Sequence, residues 1–411
     1  MDIIEISLDI PGVKVEKTEK FEDRIIISVS SAAEGAECHK CGRKIDKPFG
    51  SGREIDLRHL SVFGKPTYIR ICPPRYQCVH CKGGPVSTQK ASWYSQRSPY
   101  TAAYENYVLL GLVNSTVEDV SIREGMGYEA VMGIINRRID TEIKWDEIGT
   151  IDVIGMDEIS LKKGHKKYVT VVTALAGGKL VILAVLGDRE KRTVKKFFKT
   201  IPKRIRKKVK AVCSDMYDGF VNAAKEVFGK RTKIVVDRFH VSGLYRKGLD
   251  GFRKSEMKRL KEELSEDEYK KLKGAMWALR KNKKCLTEEE KEVLKRLFEY
   301  SPALKSAYDF CNDLTDIFEE DISKNEAKRR ISSWQIRIRL SGLKCFDSFL
   351  STLEKRYDEI TNYFINRQTS GFVEGLNNKI KVIKRRCYGI LNVGHLFRRI
   401  FIDLEGRSRF A

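Results

Sequence analysis

The chain has 411 residues, more than one hydrophobic core usually spans, so two to four structural units are expected. With 41% apolar residues it can fold, but no run approaches the ~18 apolar residues of a membrane span. No early segment has the basic start and apolar middle of a secretory signal, so a cytoplasmic, nucleoid-associated location with no membrane partner is expected. The formal charge of +23, from 79 Lys and Arg against 56 Asp and Glu, favours a polyanionic partner, nucleic acid first. A Lys-rich surface typical of the host proteome would give the same sum.

Residues 1–95 read as a small β-rich module, with short alternations at Arg24–Ser28 and Thr67–Cys72 broken by Gly and Pro. Four of the ten cysteines fall in it as Cys38-His39-Lys40-Cys41 and Cys78-Val79-His80-Cys81. Each pair puts two thiolates on one tight turn, and two such turns make the four-sulfur tetrahedron that suits a structural Zn²⁺. Cys72, His39, His59 and His80 are near enough in sequence to replace a ligand, and a redox pairing is the alternative reading.

Residues 96–148 change to helical periodicity, with helices expected over Tyr100–Leu112, Val117–Glu124 and Tyr128–Arg138. The Gly125-Met126-Gly127 break is compatible with a helix-turn-helix whose last helix enters the major groove, Arg137 and Arg138 touching phosphates. A plain helical linker with a Val131, Ile134 and Ile135 packing stripe is the alternative.

From 149 to 245 strands are expected at Ile151–Met156, Tyr168–Leu175, Lys179–Leu186, Val209–Ser214 and Lys233–Val236, with helices from Tyr217 and near Phe239. Three strands followed by alternating helix and strand indicate a mixed α/β sheet covered by helices. Between the third and fourth strands, Asp188–Lys210 holds twelve Lys or Arg and two acids. Residues 246–363 read as a charged helical insertion, and 364–411 as closing helices over 372–384 and 392–400.

Carboxylates at the ends of buried strands are poor core residues and good metal ligands. Asp157 ends Ile151-Asp152-Val153-Ile154-Gly155-Met156, and Asp215 ends Val209-Lys210-Ala211-Val212-Cys213-Ser214 in the same manner. Glu374 opens a helix that goes on to Lys379, Lys381, Lys384, Arg385 and Arg386, cations able to hold a DNA backbone, and Asn378 one turn on would share its face. Oxygen ligands suit Mg²⁺ or Mn²⁺, and two such ions can activate an attacking oxygen and stabilise a leaving one. Each acid alone is equally a surface Asp, a helix cap or a first-turn acid. Glu158 competes with Asp157, Asp218 and Asp237 are further candidates, and His240 reaches for the same rim. No Ser-His-Asp arrangement or phosphate-binding Gly loop is evident.

These segments together resemble the DDE insertion-sequence transposases of the zinc-ribbon group, the ISL-three family. The likeness rests on the paired CxxC motifs, Ile154–His165, Ser214-Asp215-Met216-Tyr217, Asp237-Arg238-Phe239-His240-Val241, Gly371–Lys381 and Lys384–Gly389. It implies an RNase H-like core with a helical insertion before the last acid, and a zinc ribbon and helix-turn-helix that read the element's terminal inverted repeats. The acids carried over are Asp157, Asp215 and Glu374; Asp237 and His240 match a segment of unassigned role. The resemblance implies metal-dependent cleavage and strand transfer on double-stranded DNA, element ends and target alike. Handling two ends together implies a homodimer or larger synaptic assembly. A DNA-binding regulator without chemistry and a nuclease that does not join strands are the competing classes.

Overall fold

The computed structural model describes residues 7–161, 168–367 and 371–411, with the backbone alone for 371–374. The Lys162–His165 end of one family segment and the Ser370 break therefore lie outside the described residues. The chain divides into two compact units, Met1–Asp140 with Arg398–Ala411, and Thr141–Phe397.

The first unit opens with nine strands: β1 (Val13–Lys20), β2 (Ile25–Ser31), β3 (Ala36–Glu37), β4 (Lys44–Ile45), β5 (Lys47–Ser51), β6 (Ile55–Val62), β7 (Lys65–Ile71), β8 (Pro74–Gln77) and β9 (Val86–Thr88). They form a four-stranded sheet β1-β2-β7-β6, a three-stranded sheet β5-β8-β9 and the short β3-β4 hairpin. Alternation along β7 buries Thr67, Ile69 and Ile71, which pack with Val29, Leu57 and Trp93. Three helices follow, α1 (Ala102–Gly111), α2 (Val117–Glu124) and α3 (Tyr128–Arg138). Thr116 and Asp119 close a capping box at the start of α2, and Gly125 ends it at φ 59°. Val120, Val131, Ile134 and Ile135 form the core of this helical part.

The C-terminal helix (Val393–Phe410) supplies this unit with Arg399, which is fully buried. Its guanidinium donates to the carbonyls of Leu112 and Ser115 at 3.1 and 2.7 Å, satisfying acceptors left over where α1 ends. Asp403, one turn on, accepts from the Asn114 amide at 2.8 Å.

The second unit is built on five strands: β10 (Val153–Ser160), β11 (Tyr168–Ala176), β12 (Lys179–Leu186), β13 (Ala211–Ser214) and β14 (Lys233–Val236). Their order is β12-β11-β10-β13-β14. The first three are antiparallel neighbours, while β13 and β14 run parallel to β10. One face is covered by α4 (Lys191–Thr200), α5 (Lys203–Arg206) and α6 (Asp218–Phe228), through Val194, Phe198, Ile205, Phe220 and Val221. The basic stretch Asp188–Lys210, given no structure from sequence, is therefore largely helical. Its apolar residues Val194, Phe198 and Ile201 recur at the helical period, which the density of Lys and Arg masks.

The other face is covered by the insertion: α7 (Arg238–Glu263), α8 (Glu266–Lys270), α9 (Ala275–Arg280), α10 (Glu288–Tyr300), α11 (Pro302–Glu319), α12 (Lys324–Ser341), α13 (Asp347–Lys355), α14 (Tyr357–Thr361) and α15 (Tyr363–Asn366). Trp334 anchors its core, its Nε1 donating to the Phe310 carbonyl at 2.8 Å. Asn362 donates to the Ile234 carbonyl at 2.8 Å, so the insertion covers the edge strand β14. Then α16 (Gly371–Arg386) packs on β10. No helix among the described residues is long and apolar enough to cross a membrane.

Two glycines of α7 separate packing from propensity. A Cβ at Gly248 would lie 2.3 Å from the Cys345 carbonyl oxygen, whereas one at Gly251 would meet nothing within 4 Å. Gly248→Ala should destabilise by about 2 kcal/mol through overpacking. Gly251→Ala should stabilise by about 0.5–1 kcal/mol through helix propensity. Thermal unfolding of the two variants tests this, and shifts of the same sign would refute the packing assignment.

Candidate metal and acid sites

The two CxxC pairs come together. Their four sulfurs lie within 4.8 Å of one another, with Cys38 and Cys81 4.0 Å apart and Cys41 and Cys78 3.8 Å apart. The edge of a tetrahedron with Zn–S bonds of ~2.3 Å is ~3.8 Å, so the quartet has zinc dimensions without rearrangement. Local backbone makes this possible. After the first pair the Gly42 amide returns to the Cys38 carbonyl at 2.9 Å, a turn that needs the left-handed φ of 70° found there. The second pair turns likewise, with the Gly84 amide on the Cys81 carbonyl at 3.1 Å. The Cys41 amide leads in holding the Cys38 thiol down to about 6, while the Cys41 thiol leads in pushing Cys81 up to about 12, so the four crowded sulfurs do not all favour the thiolate without a cation among them. Neighbouring histidines are engaged elsewhere: His39 Nδ1 lies 2.9 Å from Ser87 Oγ, and His59 Nδ1 2.9 Å from Thr101 Oγ1.

The acids of the second unit are positioned by strand alternation. Val153, Ala211, Cys213 and Val235 point toward the insertion, while Ile154, Met156, Val212 and Ile234 point toward α4 and α6. Asp157, Asp215 and Asp237 share the parity of the first set and so face the insertion side. Parallel pairing of β10 with β13 runs from Val153↔Ala211 to Gly155↔Cys213, so Asp157 and Asp215 each lie two residues past its last pair. Asp157 does not end its strand, as the sequence reading had it: β10 continues to Ser160 because β11 still pairs with it there.

Burial, above all, pushes both carboxyls above the ordinary aspartate range, and the charges of Glu158 and of Asp157 itself push Asp215 further. Opposing this, Asp157 accepts from the Glu158 amide at 2.7 Å and Asp215 from the Tyr217 amide at 2.9 Å. His240, exposed in the first turn of α7, is close enough for its charge to hold both carboxyls down. Asp237 is 2% exposed and caps α7 by accepting from the Phe239 amide at 2.8 Å.

Glu158 points the other way and pairs with Arg189 at 2.7 Å. The Arg189 guanidinium lies 4.9 Å from the ring centres of both Tyr168 and Tyr217. Asp218 is withdrawn from the acids by Lys355, at 2.7 Å, and by Arg356, which hold its carboxyl below the usual range. Glu374 lies in the first turn of α16, and its side chain is outside the described residues.

Asn377, not Asn378, meets the acids. It is buried, its amide nitrogen donates to Asp157, and its Oδ1 is buried without a partner among the described residues, while Asn378 is exposed. Sequence reasoning missed Arg189 and Asn377. The signals were there: Arg189 follows a strand parallel to β10, and Asn377 is three residues after Glu374, as good a same-face spacing as four.

Of the expected DNA contacts, Lys381 and Arg385 are exposed on α16, and Lys379 and Arg386 are half-buried. Lys384 donates to the Ser160 carbonyl, and burial lowers its pKa. Arg137 pairs with the buried Glu105 at 2.8 Å and Arg138 with the same carboxylate at 3.8 Å, each leaving about a third of its side chain exposed, 34% and 31%.

Residues 154–400 match the DDE transposase model of ISL3 type, described as "Transposase". The chain belongs to this transposase family. Residues 34–81 match the model for the zinc-finger of transposases IS204, IS1001, IS1096 and IS1165, which spans the cysteine quartet. The transposase is 25% identical to the transposase of insertion sequence IS1001 from Bordetella parapertussis over 402 residues, 97% of either chain. It is 24% identical to the IS1557 transposase of Mycobacterium tuberculosis over 394 residues, 90% of this chain and 86% of that one. The resemblance drawn from the motifs is thus borne out, the zinc ribbon included.

The raised Asp215 carboxyl carries a sign that can be measured. Its folded value lies above its unfolded one, so the folded state binds the proton more tightly and stability falls as pH rises through that window. In protein free of divalent ions, Asp215→Asn, which keeps the acceptor for Tyr217, should therefore stabilise by about 1 kcal/mol at pH 7. The gain should vanish below the ordinary Asp range; a variant no more stable at pH 7 would contradict the burial argument. Separately, zinc chelation or Cys38→Ser should unfold the β3–β4 region, read as lost amide protection there while the β10–β14 sheet stays protected.

Proposed function

We propose that this transposase binds the terminal inverted repeats of its element and carries out metal-dependent strand cleavage and strand transfer through Asp157, Asp215 and Glu374. The observation that carries the reading is the pair of half-buried carboxylates, Asp157 in β10 and Asp215 one residue past β13, at the same end of these adjacent parallel strands. We read the sheet order as an RNase H-like core, consistent with its three antiparallel strands followed by two parallel ones. Residues 149–245 and, of the expected closing segment 364–411, the part 364–397 would form this core, because Arg398–Ala411 belong to the first unit; 246–363 would be its insertion, 1–95 the zinc-ribbon module and 96–148 a helix-turn-helix.

The acids fit Mg²⁺ or Mn²⁺ on their own chemistry. Hard oxygen donors lie near one another toward one end of the sheet, and both aspartates carry a burial penalty that a cation would relieve. Asp157, Asp215 and Glu374 would hold two ions, which supply activation of the attacking oxygen and stabilisation of the leaving one. The chain's own residues do the rest. Asn377 fixes the rotamer of Asp157, the Tyr217 amide fixes Asp215, and Arg189 keeps Glu158 turned away from the acids. Asp237 and His240 would act as positioning groups at the same rim.

DNA would be held by exposed cations of α16, Lys381 and Arg385, with Lys379, Lys384 and Arg386 beside them, and by Arg137 and Arg138 at the end of α3. The pairing of both arginines with Glu105 pre-orients them and leaves an edge of each for phosphate. Two ends must be cut in concert, which favours a dimer or larger assembly.

Asp157→Asn, Asp215→Asn and Glu374→Gln should each lower Mn²⁺- or Mg²⁺-dependent nicking at element ends by at least about 10³-fold. Binding of end DNA by gel shift should change less than about threefold. Wild-type-like nicking in any one of the three removes that residue from the site, and unimpaired nicking in all three would sink the reading.

A further inference from the structure

The chain's densest run of positive charge is not used by the site just described. Its helix begins at the catalytic rim: β12 runs parallel to β10, so both end on the same edge, and Arg189, between β12 and α4, reaches Glu158. From there α4 and α5 travel back along the outside of the sheet to the start of β13, where Lys210 pairs with Asp152 at 2.8 Å.

The cations on this path divide into two sets. Lys191 and Lys195 are turned to Glu226, and Arg204 to Asp146. Arg192, Lys196, Lys199, Lys203, Lys207 and Lys208 are solvent-facing and make no ion pair among the described residues. Arg192, Lys196 and Lys199 stand at i, i+4 and i+7, one face of α4, while Val194, Phe198 and Ile201 bury the opposite one. The ten residues of α4 make a ridge about 15 Å long.

A solvated charged helix is the ordinary reading of such a sequence, but solvated helices alternate signs. Here the exposed positions of six residues carry one sign only, which costs self-repulsion unless a polyanion lies across them. A membrane surface is a poor match, because the apolar face of α4 is already spent on the core and has nothing to insert.

We infer that the ridge from Arg192 to Lys208 is a backbone-binding track for the target duplex, leading it to the acidic rim. This rests on the strand-transfer reading above. Five of the six cations are Lys, flexible point charges that suit phosphates at any register, so the grip we infer is to the backbone and carries little sequence information. That is what target DNA needs, whereas element ends have a fixed sequence.

The test compares wild type with an Arg192→Gln, Lys196→Gln, Lys199→Gln, Lys203→Gln variant, and with a control of equal charge loss in the insertion, Lys258→Gln, Lys261→Gln, Lys271→Gln, Lys273→Gln. All eight side chains are exposed and make no ion pair among the described residues, so both variants should keep the wild-type Tm. Against a random-sequence duplex, the salt dependence of log K should become shallower by about 3 to 4 for the ridge variant, at ~0.9 per phosphate contact. The control should not move it. With element ends already cut, strand transfer into plasmid should fall at least tenfold in the ridge variant while nicking of uncut ends stays within twofold.

An unchanged salt slope, or an equal change in the control, overturns the ridge as a DNA surface. Equal losses of nicking and transfer overturn the target assignment and give the ridge to the element end. A wild type that never nicks ends indicts the proposed chemistry instead, and the salt slope still judges the ridge.

Discussion

Like charges crowd at one end of a buried sheet, and the second unit is organised around tolerating that. Asp157 and Asp215 sit close enough to disfavour each other's ionisation, in a place where burial already disfavours it. A fold optimised for stability alone would put neutral residues there. This one surrounds the acids with donors, two backbone amides and the Asn377 side chain, and sets His240 nearby. Other acids within reach are drawn off by cations, Glu158 by Arg189 and Asp218 by Lys355 and Arg356. The cost remaining is one that a cation bound as proposed would relieve.

The two units solve the small-core problem differently. The strands around the cysteine quartet have only Ile45 and Tyr76 beside the cysteines as fully buried apolar residues. Such a patch cannot define a fold, and four thiolates closing on one ion can. The second unit has two large cores, one on each face of its sheet, and can bear an uncompensated pair of acids. Arg399 in the first unit is a third device, a buried cation used to satisfy the carbonyls where α1 ends.

Much of this was legible in the sequence because its signals were local. Strands β12 and β14 and helices α2 and α3 fall where hydrophobic period and Gly breaks predict them, and the CxxC spacing names its own chemistry. The expectation that Asp215 follows its strand directly holds, since β13 ends at Ser214. What escaped depends on tertiary partners. Register with β11 carries β10 on past Asp157, so the acid lies within a strand and not at its end. Period alone does not decide between Asn377 and Asn378, because i+3 and i+4 both share a helical face with Glu374. The contact of Asn377 with Asp157 decides it. Helix α4 was hidden by its own charge, and the commitment of Arg137 to Glu105 needed two helices to meet.

The length of α7 has a mechanical meaning. It is a single helix of 26 residues, about 39 Å, that starts at Asp237 and His240 and passes through the heart of the insertion. At Gly248 it touches the Cys345 backbone so closely that a methyl group does not fit. Held this closely at its middle, the helix ties the position of its first turn, and so of Asp237 and His240, to the packing of the insertion.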